Sequence, residues 1–192
     1  MTTANKIEDL FKLAYKYYPK DIDCISDKGK YIKTKQYSLL KKIITDTREN
    51  SRKEVIEKFS KKFKEIGGNM NFQDTTFFEW QDRCYTFELS EERDGAIHKL
   101  RFHISIIIPY YLISYNKIEL EGNGSQYSEM PLDQYEDKND IIKKIRESAT
   151  EILMFEELDK SITNEVFKDI NFEDIPIGHF TLFNAFFLNS FN

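Results

Sequence analysis

From Lys99 to Ile108 the side chains alternate: Leu100, Phe102, Ile104, Ile106 and Ile108 fall on one face, and Lys99, Arg101, His103, Ser105 and Ile107 on the other. Successive side chains of an extended chain point to opposite sides, so this period of two specifies a strand with one buried face and one face that is wet at its middle. Such a strand needs sheet neighbours. Arg83 to Leu89 repeats the pattern with Tyr85, Phe87 and Leu89, and Asp94-Gly95 supplies a turn signal between the two runs. Pro109 interrupts, Tyr111 to Leu120 reads as a third strand, and Thr75 to Trp80 offers a fourth. The expected centre of the fold is an antiparallel meander of three to four strands within residues 72–121.

On either side of the meander the period changes to that of a helix. Ile7, Leu10, Phe11, Ala14 and Tyr18 share one helical face, which Pro19 ends. Asp21 to Lys30 reads as a loop. Tyr37, Leu40, Ile43 and Ile44 mark a second helix over Thr34 to Thr47. Val55, Ile56, Phe59, Phe63 and Ile66 mark a third, which Gly67-Gly68 stops because glycine takes a left-handed conformation at little cost. Glu121 to Asn139 is polar, holds Gly122, Gly124 and Pro131, and reads as a long loop. Ile141, Ile142, Ile145, Ala149, Ile152 and Leu153 then line another helix, and Leu158 to Ile170 reads as a shorter one. The ending His179 to Phe187 is too apolar to be a solvated tail and is expected to dock on the core as a strand or short helix. The sequence thus describes one α+β domain over 1–192, helical over 1–68, a sheet over 72–121 and mostly helical over 139–192.

A chain of 192 residues buries about 70% of the surface its unfolded form exposes, and 16 Phe and 11 Tyr are ample core material. The longest apolar run, Ile106 to Ile113, is too short to span a bilayer. The first residues carry no apolar signal core, and Cys24 and Cys84 form no disulfide framework, so a reducing cytoplasm and no membrane are expected. Charge is unevenly placed. Residues 1–70 hold 17 Lys/Arg against 10 Asp/Glu, residues 71–138 hold 6 against 13, and residues 139–192 hold 5 against 10.

Catalytic patterns are not apparent. No glycine-rich stretch follows a strand and opens a helix, as a phosphate loop requires. Cys84 lies on a strand with His98 and His103 on its neighbour, but a nucleophilic cysteine needs a stabilised thiolate, and nothing around Cys84 signals one. His98 and His103 are five apart on a strand, which points them to opposite faces and prevents joint chelation. Carboxylate pairs such as Glu91-Glu92 and Glu156-Glu157 are expected by chance in so acidic a chain. No metal, cofactor or catalytic residue is assigned. If an enzyme were hidden here, its dispersed site would draw on Cys84, His98, His103 and His179. Lys35, Lys41, Lys42, Arg52, Lys53, Lys58, Lys61, Lys62 and Lys64 make the second and third helices basic, yet Glu49, Glu54, Glu57 and Glu65 interleave with them as ordinary helical ion pairing does, and the pI is about 5.4. Nucleic acid is therefore a disfavoured partner.

The remaining feature is an interaction surface. Glu119, Glu121, Tyr127, Glu129, Asp133, Tyr135, Glu136 and Asp137 set tyrosines among carboxylates. Tyrosine offers contact area at low entropy cost, and carboxylates steer a basic partner. The order of elements, with opening amphipathic helices, a "DRCYTFEL" strand, "HKLRFHISIIIPYYLISY" strands, a "DIIKKIRESATEILMFEEL" helix and a "GHFTLFNAFFLNSF" ending, resembles small bacterial immunity proteins of polymorphic-toxin or type VI secretion systems. That resemblance implies a non-enzymatic inhibitor that binds a cognate toxin tightly, often with charge complementarity, and here the toxin domain would be basic. The alternatives are the dispersed-site enzyme and a non-catalytic scaffold that uses an exposed strand edge.

Overall fold

The computed structural model describes residues 3–49, 53–78, 81–121, 124–134 and 138–188. It contains helices α1 (Thr3–Ala14), α2 (Lys28–Tyr31), α3 (Lys35–Glu49) and α4 (Lys53–Gly67), then strands β1 (Asn71–Asp74), β2 (Cys84–Arg93), β3 (Ala96–Ser105), β4 (Tyr110–Glu121) and β5 (Gly124–Met130). Helix α5 (Asn139–Ser148), strand β6 (Glu156–Glu157) and helix α6 (Leu182–Phe186) complete it. The class is mixed helix and antiparallel sheet, as the two periodicities require. The strand order is β1-β2-β3-β4-β5, every pair antiparallel, and β6 adds in parallel to the start of β4.

The sheet has six strands rather than three to four. The strand preceding β2 is Asn71–Asp74 rather than Thr75 to Trp80, of which Glu79 and Trp80 lie outside the described residues. The polar stretch after Glu121 is no loop in its first part, because Gly124–Met130 returns along β4 with Tyr127 opposite Ile118. Its Gly-Ser-Gln-Tyr-Ser-Glu composition carries no apolar alternation, and of β5 only the last residue, Met130, packs against the core. The helix expected at Leu158 to Ile170 is only a short 3-10 turn at Lys160–Ile162. There Phe167 and Ile170 are buried by extended chain whose Phe167 N–H bonds the Phe180 carbonyl. The region after Leu153 is therefore mostly irregular.

The meander's centre follows the alternation. β3 lies between β2 and β4 over its whole length, and Leu100, Phe102 and Ile104 are buried. They join Phe87, Leu89, Ile113 and Tyr115 beneath α4 (Ile56, Phe59, Phe63) and α5 (Ile142, Ile145). Helix α4 comes so close to β2 that a Cβ on Gly67 would lie 2.4 Å from the Leu89 side chain, and Gly68 then turns the chain at a φ of +60°. At the other face, α1 and the apolar ending form a second cluster, in which Leu10, Ala14 and Tyr18 meet Leu112, Phe180, Phe183 and Phe186. The ending docks as α6, started by a capping box between Thr181 and Asn184.

Burial grades the consequences of truncation. Ile104 is 1% exposed, whereas Ile106 lies past the end of β3 and is only partly buried. Ile104→Ala should cost about 2–5 kcal/mol through lost burial and a cavity, and Ile106→Ala clearly less, as read from urea unfolding midpoints.

Candidate functional site

Residues that pair across an antiparallel sheet share a face, so the register assembles the polar side of the meander row by row. One row runs Gln73, Glu88, Arg101, Ser114 and the next Asn71, Ser90, Lys99, Asn116, Glu129; Glu92, Ile97, Ile118 and Tyr127 make a third. The second apolar cluster roofs only the other end of this face, around Cys84 and Leu112. What remains is a polar platform that ends at β5, the outermost strand of the order.

Its centre is ionic. Glu88 is 2% exposed and receives Lys99 Nζ on one oxygen and Arg101 Nε on the other, each at 2.9 Å. Arg101 also stands near the Tyr127 hydroxyl, whose proton burial holds more tightly than usual. Tyr127 is nevertheless 39% exposed. Beside it, Glu129 meets Lys160 at 2.6 Å. Asn116 is buried within this row, and both ends of its amide lack a hydrogen-bond partner among the described residues. An unsatisfied buried amide costs about 1–3 kcal/mol.

The expected partner-binding residues are thus divided. Tyr127 and Glu129 stand together on the platform. Glu119 is on the opposite face, paired with Lys117 at 2.6 Å. Tyr135, Glu136 and Asp137 lie outside the described residues, as do the side chains of Glu121 and Asp133. Glu88, Lys99, Arg101 and Asn116 are the members that sequence reasoning missed as a site. Their alternation marks a wet strand face, but only the register shows that a carboxylate and two bases converge.

The residues considered for catalysis meet in part. The Cys84 thiol lies 3.4 Å from the Thr86 hydroxyl, which lies 3.1 Å from His103 Nδ1, and His103 Nε2 reaches the Ser114 hydroxyl at 3.3 Å. Burial pushes the Cys84 thiol up to about 12. Desolvation, with Arg101 nearby, brings His103 down to about 3. Both groups are neutral near pH 7, the reverse of a thiolate–imidazolium pair. His98 is on the opposite face, hydrogen-bonded through Nδ1 to the Tyr115 hydroxyl. His179 is exposed in the turn before Phe180. Among the described residues, no three His, Cys, Asp or Glu side chains gather to hold a metal ion.

His103 makes the fold acid-sensitive. Its folded pKa of about 3 lies below the unfolded value of about 6.5. Between those values the unfolded chain binds the extra proton, so stability is full above about pH 6.5 and falls as pH drops toward 3. His98, also lowered by desolvation, adds in the same direction. Unfolding midpoints measured from pH 7 down to pH 4 should decline, and His103→Gln should flatten that decline while lowering the pH 7 value.

No family model, curated protein or solved structure matches this chain, so a functional reading rests on the chemistry of the site and on the resemblance in its element order.

Proposed function

We infer that the protein is a non-catalytic binding protein of immunity type, which neutralises a cognate protein toxin by covering it with the β5 edge and the adjoining polar platform. The observation that carries this reading is Tyr127. It is a large, half-exposed aromatic on an outermost strand, with the Arg101 cation nearby. Large aromatic anchors dominate binding energy in protein interfaces. An edge strand also presents backbone N–H and C=O groups to which another chain can add. Among the described residues no strand pairs with the outer side of β5, and Glu129 is the one charged side chain within it.

The chemistry also shapes the expected partner. Glu119 and Glu129 are paired inside the protein, so locally they offer mixed charge rather than bare carboxylates. At longer range the acidic surplus of residues 71–192 favours encounter with a basic domain.

Co-expression tests the reading. The product of a reading frame beside the gene should arrest growth alone and be silenced by this chain. With that pair in hand, Tyr127→Ala should accelerate dissociation by an amount equivalent to about 2 kcal/mol or more. Glu129→Gln should change the rates little, since its charge is already balanced by Lys160. Unchanged dissociation with Tyr127→Ala would remove β5 from the interface.

A further inference from the structure

On the sheet face opposite the platform, two cavities adjoin beneath α4, sharing Thr47, Ile56 and Tyr85 in their walls. Their chemistries contrast. The first, about 460 Å³, is edged by Arg48, Lys53, Lys61 and Lys64 against the acids Glu57 and Asp74. The second, about 490 Å³, has no charged side chain in its wall, which includes Val55, Ile104, Ile106, Ile152 and Met154. Both volumes fall within the range of about 300–1,000 Å³ that holds small molecules.

The basic rim follows from the helix. Lys53, Glu57, Lys61 and Lys64 are spaced four, four and three apart and so line one flank of α4, while Ile56, Phe59 and Phe63 fill the core. Lys53 sits near Glu57 at 3.9 Å, but among the described residues neither Lys61 nor Lys64 has an ion-pair partner. The apolar end is equally open. Val55 is exposed, and Met154 is 84% exposed at a left-handed φ of +56°, where the π-helical turn Ala149–Leu153 ends. Methionine is a side chain suited to gripping apolar ligands of variable shape.

We propose that this paired cavity binds a soluble single-chain aliphatic carboxylate, its tail in the Ile104–Ile106–Met154 pocket and its head against Lys61 and Lys64. Charge complementarity selects an anion, because the rim holds four bases against two acids. The uncharged second chamber selects an apolar tail rather than a second polar group. The site is on the other face of the sheet from Tyr127 and is independent of the toxin-binding reading.

Calorimetric titration of the full chain with dodecanoate tests it. One saturable equivalent is expected. Lys61→Glu with Lys64→Glu, both exposed and outside the core, should weaken it about tenfold or more, equivalent to about 1.4 kcal/mol. Val55→Trp, which fills the apolar chamber from an exposed position, should abolish it, with circular dichroism unchanged in each variant. Absence of saturable binding by the parent chain would overturn the proposal. So would equal affinity in the Lys61/Lys64 and Val55 variants, or binding to phosphatidylglycerol vesicles without binding to monomeric dodecanoate.

Discussion

A single buried cation ties the two ends of the chain's architecture together. Arg83 is fully buried, and its guanidinium donates through Nε and Nη2 to the Asn184 carbonyl at 3.1 and 2.6 Å and through Nη1 to the Gln81 carbonyl. Its backbone N–H bonds the Phe187 carbonyl, and its own carbonyl accepts from Ile106 N–H. Carbonyls in the last turn of a helix have no partner within it and carry partial negative charge, so a cation there is favoured twice. The Phe172 ring lies 5.1 Å from the guanidinium. Arg83 therefore fastens α6 to the start of β2, and with Ser105, whose hydroxyl donates to the Phe186 carbonyl, it holds the apolar ending against the sheet. Without that roof, Cys84 and Leu112 would face water. The roof also stops short of the Glu88–Arg101 rows, which is why a polar platform exists at all.

The parts of this fold that could be read from residue order are those where one periodicity dominates. Leu100, Phe102 and Ile104 announce β3 because their neighbours are polar. Phe59 and Phe63 announce α4, and Gly67-Gly68 its end, since a larger residue would collide with Leu89 and reverse the turn only at a cost. Where burial is set by distant chain, order misleads. Phe167 and Ile170 have helical spacing, yet they are held by Phe180 and its neighbours, so tertiary packing overrides the local pattern. β5 was hidden for the opposite reason: its ladder to β4 is backbone-made, and backbone bonds leave no mark on side-chain pattern.

The platform and the histidines show the same limit. Alternation alone puts Lys99, Arg101 and His103 on a wet face, but their fates diverge through neighbours that only register assigns. Lys99 and Arg101 meet Glu88 in ion pairs. His103, one pair further along, passes under the edge of the roof near Phe183 and is held neutral between Thr86 and Ser114. One strand face therefore changes from ionic to dry within two side chains. This gradient is a physical reason for the absence of a thiolate at Cys84, which sits at its dry end.

The uneven charge along the chain also acquires a spatial meaning. The basic surplus of residues 1–70 is partly displayed on the α4 flank, over the face that carries Phe87 and Phe102, whereas Glu88, Tyr127 and Glu129 stand on the other face. The sheet and the cluster beneath α4 lie between the two charged surfaces. A partner steered to the β5 edge and an anion held under α4 would therefore meet different sets of side chains, one on each face of the sheet.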